Sequence, residues 1–389
     1  MSNTGYRIDV MRATNPRYSG ESISVFKTWN PESCHTNLYY KYSSGAHYYV
    51  SKIPSNDELW INWGSTMLEQ TDNYGHLANI IIDYDNVIKL LPDSAFKDCC
   101  CSYYLQSVSF GAVSYIGDYA FAAQHNLSSV YMPTLEHIGK YAFGNCHSLT
   151  SVDFPLVSFV GDYAFTKCNN LQYASLPNTL VVGVNAFSEC SKLISVNINN
   201  ASIIRGGAFS FFYSSSIHKQ TVLETVEMEN VENIAVYGFY NCHSLQSVNA
   251  PKLINIGDSA FKYCFVLSEI NAPLLTSIGS SAFEWCKSLK SAYFPNASFV
   301  GTAAFNHCNV LSEVNLDNIQ SFGGTVFGSF CGIKYLYMRS ISKLPTITAP
   351  PFRNSGIDNI ISIYVPSSLV PQFQKTTSWL AVSSKFVGV

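Results

Sequence analysis

Residues Leu149 to Cys168 read LTSVDFPLVSFVGDYAFTKC, and most of the chain beyond residue 90 repeats this stretch with variations. Its anchor is an Ala-Phe pair with Cys three residues after the Phe. Phe121, Phe143, Phe165, Phe187 and Phe209 lie 22 residues apart, as do Phe239, Phe261, Phe283, Phe305 and Phe327. Phe96 and Phe352 flank the two series at spacings of 25, and 30 residues separate Phe209 from Phe239. A fixed period of this size marks a solenoid, in which each coil buries its apolar side against the next.

The columns of the repeat show which residues face inward. Leu stands sixteen residues before the Phe in ten coils, among them Leu149, Leu171, Leu245 and Leu289. An aliphatic column follows (Val108, Val130, Val152, Val196, Val226, Val248, Ile270, Val314), then an apolar one two residues on (Phe110, Met132, Phe154, Leu176, Ile198, Phe294). A spacing of two is strand alternation. Pro133, Pro155, Pro177, Pro251, Pro273 and Pro295 end that strand, as a residue without an amide hydrogen does. A second short apolar segment then runs into a Gly column (117, 139, 161, 183, 257, 279, 301, 323), where a tight turn is expected. The x-x-Ala-Phe-x-x-Cys segment reads as a short helical turn.

The predicted fold is therefore a β-rich solenoid of about eleven or twelve coils of 22 residues. Each coil has two short strands and a short helical turn. At about 4.8 Å per coil the stack would be roughly 50 to 60 Å long. Residues 1–76 lack the repeat and read as a small β-rich capping domain, with strand-like runs at Tyr6–Met11, Ser22–Phe26, Leu38–Tyr42, His47–Ile53 and Glu58–Trp63. The solenoid is expected over 77–366. After Pro366 the period changes, and 367–389 read as a helical cap: Ser367 and Ser368 can cap a short helix, and Trp379, Leu380, Phe386 and Val387 supply apolar cover.

The pattern Leu-x-x-Val-x-Phe-Pro…Ile-Gly-x-x-Ala-Phe-x-x-Cys-x-x-Leu resembles the BspA-like class of leucine-rich repeats over about residues 77 to 366. The resemblance implies a surface-displayed solenoid for adhesion or recognition, without catalytic machinery. The closing stretch from Ile363 through Trp379 is also similar to the ends of such repeat proteins, including ones carried by bacterial viruses.

Composition narrows the partners. Only 13% of residues are charged and the net charge is −3, so the outer surface must rest on uncharged Ser, Asn and Tyr. No cluster of Lys and Arg exists, which argues against nucleic acid and anionic membrane. No apolar run is long enough to insert in a bilayer. No signal-peptide pattern opens the chain and no anchor closes it. The expectation is an extracellular or surface-displayed protein, on a cell or a virion, delivered by another segment or by assembly into a particle.

Twelve cysteines are present, but Cys99, Cys146, Cys168, Cys190, Cys242, Cys264, Cys286 and Cys308 occupy one column, shared with Gln124 and Phe212. That is the pattern of small buried core residues rather than of required disulfides. Zinc is the alternative, because Cys146-His147, Cys242-His243 and His307-Cys308 place ligands together, yet no CxxC pair occurs. Cys99-Cys100-Cys101 is the local cluster at which redox or metal chemistry would be sought. No phosphate loop, HExxH or GxSxG is found. Neither cofactor nor metal is expected, and an enzyme would have to reside in residues 1–75.

Two regions carry the binding candidates. The outward residue of the first strand forms a column that includes Tyr131, Asn249, Asn271, Tyr293, Asn315 and Tyr337. Rigid Tyr with adaptable Asn and Ser is the composition of a recognition surface, and also of an ordinary solvated β-face. The longer coil supplies Phe211, Phe212, Tyr213 and His218 within an insertion near 211–220, followed by Glu224, Glu227, Glu229 and Glu232, a possible acidic strip. It reads as a projecting binding loop, or as a tolerated insertion or a joint between two halves. The tyrosines 39, 40, 42, 48 and 49, with Trp60 and Trp63, suit a core or a binding face. A non-catalytic protein binding a protein or glycan on a host or microbial surface is the favoured reading. A structural or receptor-binding component of a larger assembly, such as a phage tail or head appendage, is the alternative, with homo-oligomerisation compatible with either.

Overall fold

The computed structural model describes the strands at 13–14, 22–30, 35–42, 47–54, 67–71 and 77–82 as backbone, and residues 90–91, 93–97, 105–212, 222–352 and 357–389 in full. The chain divides into two compact units, Met1–Thr179 and Leu180–Val389.

The first unit opens with an antiparallel sheet in which Ala13–Thr14, Ser22–Asn30, His35–Tyr42 and His47–Pro54 follow one another in order. Three of the five expected strands are there, all of them longer than expected. Tyr6–Met11 and Glu58–Trp63 lie outside the described residues, as do Trp60, Trp63, Cys99–Cys101 and the side chains of the five tyrosines. Met67–Thr71 then pairs antiparallel with Leu77–Ile82, and from there pairing turns parallel, onto Ser107–Phe110 and then Ser129–Tyr131. Second strands of two residues stack in register: Leu90–Leu91, Tyr115–Ile116, His137–Ile138 and Phe159–Val160.

In the second unit the two-residue strands continue from Val181–Val182 to Thr346–Ile347, all parallel. The first strands form short parallel ladders, the longest running from Ser291–Tyr293 through Glu313–Asn315, Tyr335–Tyr337 and Ser362–Val365 to Phe386–Gly388.

Stacked anchors hold the coils together. Phe121, Phe143 and Phe165 are fully buried, with centroids 5.3 Å apart and planes within 6°. Phe187 through Phe327 repeat this at 5.0 to 5.7 Å. Each buried Phe contributes about 1.5–3 kcal/mol of transfer free energy. Phe209 stacks on Phe239 at 5.0 Å, so the longer coil leaves the anchor stack unbroken.

The cysteine column has a hydrogen-bonding reason. Each thiol of Cys146, Cys168, Cys242, Cys264, Cys286 and Cys308 donates to the carbonyl of the preceding coil's anchor Phe at 3.1–3.2 Å. Gln124, the substitute in that column, makes the equivalent bond from its Nε2 to the carbonyl of Phe96 at 2.6 Å. The eight described cysteines are buried.

Two local expectations need correction. The expected helical turn is not a continuous helix. The amides of Ala282, Glu284 and Cys286 donate three residues back, while those of Ser281, Phe283 and Trp285 donate across to Thr302, Ala304 and Asn306 of the next coil. Alternate amides are thus claimed by the neighbour, and the residues two before and two after the Phe take left-handed φ, as at Ser281 (54°) and Trp285 (69°). The Gly column leaves no room for a Cβ, as expected, but the obstacle is the backbone of the preceding coil rather than the turn itself. A Cβ at Gly139 would lie 2.5 Å from the carbonyl carbon of Gly117.

The C-terminal cap is small: a 3-10 turn at Ser367–Leu369, an α-helix at Val370–Lys375 and a 3-10 segment at Thr377–Lys385. Neither Ser367 nor Ser368 caps it through a side chain; Pro366 and Leu369 hold the two N-cap positions. Buried Trp379 meets Phe352, the last anchor, edge-on at 6.0 Å and covers the stack together with Phe373 and Phe386. Leu380 and Val387, expected as cover, are exposed.

Candidate functional site

The outward column of the first strands is presented because strand alternation turns its neighbours into the core. In the first unit Tyr131 pairs in register with Ser109 and is 58% exposed. In the second, Asn249 and Asn271 are opposite one another, and the Asn271 amide donates to the Asn249 oxygen at 2.7 Å. Tyr293 is 60% exposed and its register partner is Asn315. Tyr337 is half-buried: its ring stacks on Tyr364 at 5.0 Å and carries the Arg339 guanidinium 5.2 Å above it.

Asn315 departs from the expectation of an exposed column, being only 6% exposed. Its register partners are Tyr293 and Tyr337, whose large rings flank the short amide. Its Nδ2 donates to Asp317 Oδ2 at 3.1 Å, and Asp317 in turn receives a two-pronged bond from Arg339 at 2.9 and 2.7 Å. Those hydrogen bonds hold the Asp317 carboxyl below the usual carboxylate range against the opposing effect of burial.

The longer coil separates its candidates as sharply. Phe211 is 5% exposed; its amide donates to Tyr240 and its carbonyl accepts from Asn241 Nδ2 at 2.7 Å, so it belongs to the core. Phe212 is 46% exposed and stacks on Tyr240 at 5.3 Å. Tyr213 and His218 lie outside the described residues. Glu224, Glu227, Glu229 and Glu232 are all exposed.

Aromatic ladders at the turn corners went unnoticed in the sequence. Tyr119, Tyr141 and Tyr163 stack at 5.1 and 4.6 Å, and Tyr115, His137 and Phe159 at 4.5 and 5.0 Å. In the second unit Trp285 and His307 stack at 3.9 Å, with Phe330 following at 5.3 Å. The available signal was the recurrence of these rings at or near the 22-residue period: Tyr119, Tyr141 and Tyr163 two residues before the anchor, Tyr115, His137 and Phe159 six before it, and Trp285 and His307 two after it.

Metal chemistry finds no assembled site. Among the described residues no group of three or more His, Cys, Asp or Glu converges. Cys146 faces the core while the half-exposed His147 stacks on His125 at 4.8 Å, so the adjacent pair diverges. Burial pushes the Cys146 and Cys331 thiols up to about 12, which leaves them protonated and unreactive at neutral pH. No described helix is long and apolar enough to cross a membrane.

The BspA type leucine rich repeat region matches residues 114–233 and 232–361 in six copies. The chain belongs to this family. Among solved structures, this BspA-type chain is similar to a leucine-rich repeat protein from Bacteroides ovatus, at 19% identity and a TM-score of 0.45 over 85% of this chain and 100% of that one. A leucine rich cell surface protein from Faecalibacterium prausnitzii matches at 18% identity and 0.33 over 80% and 93%. The pneumococcal vaccine antigen PcpA matches at 14% and 0.40 over 94% and 97%. No curated protein matches the chain. Stacked repeats of this kind serve in general as extended binding surfaces.

Proposed function

We propose that this BspA-type repeat protein is a non-catalytic recognition protein, displayed outside the cell, that binds a protein or glycan through the outward face of its first strands. The observation that carries the reading is the pair of exposed tyrosines, Tyr131 and Tyr293, each standing on a parallel ladder with small polar register partners, Ser109 and Asn315. A half-exposed aromatic ring costs little ordering entropy and offers a large contact area, and the Asn249–Asn271 amides supply donors and acceptors beside it. The low charge means that affinity rests on contact and hydrogen bonding, so binding should persist at high salt. The test is a protein and glycan array probed with the wild type and with Tyr131→Ala and Tyr293→Ala. Loss of signal with unchanged stability supports the reading; signal retained in both variants removes this face as the site.

A further inference from the structure

Successive coils of the Leu180–Val389 unit place Tyr263, Trp285, His307 and Phe330 at one corner. Trp285 lies 3.9 Å from His307 and 6.2 Å from Tyr263, and His307 lies 5.3 Å from Phe330. All four have left-handed backbones, with φ of 65°, 69°, 59° and 55°. Other coils fill the left-handed position after the anchor with Ala123, Asn145, Lys167, Glu189 or Asn241. Asn, Asp and His are the residues with a Cβ found most often in that backbone, so Tyr, Trp and Phe there are unusual choices. Core packing does not account for the rings: none of the four is buried, and Phe330 is 60% exposed. The left-handed backbone is common to the coils and held by the inter-coil bonds, so what sets this corner apart is the run of half-exposed or exposed rings upon it.

The corner also has a charge. The Lys287 ammonium sits 4.8 Å over the Phe265 ring and 4.9 Å over Trp285. Among the described residues no carboxylate pairs with it, whereas Lys262 is bonded to Glu284 at 2.7 Å. Because the rings of Trp285, His307 and Phe330 stack face to face, they offer their edges outward. Ring edges carry the positive end of the aromatic quadrupole, and Tyr and Trp add O–H and N–H donors. With the single ammonium of Lys287, the corner is a donor surface that extends over four successive coils.

We propose that this corner binds an acidic polysaccharide, a chain of sugar units bearing carboxylates. One carboxylate pairs with Lys287, and the hydroxyl and ring oxygens of neighbouring units meet the aromatic edges. A periodic surface with one uncompensated cation is matched by a periodic ligand rich in acceptors and carrying negative charge. The site is separate from the strand face and stands independently of it.

The probe is polygalacturonate oligosaccharide, titrated calorimetrically into the full chain, with neutral dextran and poly-L-glutamate as comparisons. Polygalacturonate is expected to bind and dextran to bind at least tenfold more weakly, with both Lys287→Ala and Trp285→Asn lowering the affinity tenfold or more. Trp285→Asn should not lower Tm, since Asn suits the left-handed backbone, and the exposed Lys287→Ala decides the matter should the first variant fail to fold. Absence of polygalacturonate binding at millimolar concentration overturns the proposal, as does binding indifferent to both variants. Equal binding of poly-L-glutamate also overturns it, in favour of an acidic protein segment. Self-association of the chain that Trp285→Asn abolishes overturns it in favour of a second copy.

Discussion

Replacing Gly279 with Ala separates two accounts of the Gly column by sign. If the glycine served only an ordinary turn, its backbone would suit Ala, and the substitution would stabilise the fold by about 0.4–1 kcal/mol through the unfolded chain. The structure instead places the new Cβ 2.5 Å from both Asp258 N and Gly257 C, backbone atoms that cannot swing aside. Ordinary contact begins near 3.4 Å, so the coils must part by roughly 0.9 Å (3.4 − 2.5). That displacement would stretch the bond from Gly279 N to Ile256 O, now 2.8 Å, beyond hydrogen-bonding range. One lost buried hydrogen bond costs about 1–3 kcal/mol and overpacking about 1–3 kcal/mol more. The expected destabilisation is about 3 kcal/mol, read from the urea midpoint by Trp fluorescence at constant m-value. A variant as stable as the wild type, or more so, would refute the close-approach argument.

Phe211→Ala should cost about 3 kcal/mol or more, and Phe212→Ala less than about 1 kcal/mol, because the first ring is core and the second half in water; equal costs in chemical denaturation would contradict the assignment. The eight described cysteines should resist a thiol reagent at pH 8 until denaturant is added, and rapid labelling of Cys264 or Cys286 would show that the column is open. Stability should also fall as pH rises. The Cys146 and Cys331 thiols titrate near 9.0 when unfolded and near 12 when folded, so the protonated folded thiol is favoured. Its contribution is fully present below pH 9 and is lost between pH 9 and about 12, at about 1.4 kcal/mol per pH unit for each thiol. A Cys146→Ala variant should lose stability less steeply over that window, and identical slopes would sink the point.

The coil was readable because its signal is redundant. Leu149, Val152, Phe154, Phe165 and Cys168 each recur at one period, so the register and the anchor stack follow from any few coils. The turn conformation was not readable, since it is fixed by amides that donate to a coil 22 residues away and the left-handed positions hold Tyr119, Asn145, Ser259 and Trp285 without a common residue type. Nor was the burial of Asn315, whose amide turns to Asp317 two residues on in the chain. Phe211 and Phe212 are neighbours of the same type, and only the hydrogen bonds of Phe211 to Tyr240 and Asn241 separate core from surface. The outward tyrosines, by contrast, were legible from strand alternation alone.

Hydroxyl-radical footprinting of the chain, free and bound to the ligand returned by the arrays, tests most directly whether the work is done on exposed faces of the coils. The account predicts that ligand lowers oxidation of Tyr131 or Tyr293, or of the Trp285 corner, while the buried anchors Phe261 and Phe283 are unreactive in both states. Protection confined to residues away from the strand face and the corner would contradict it.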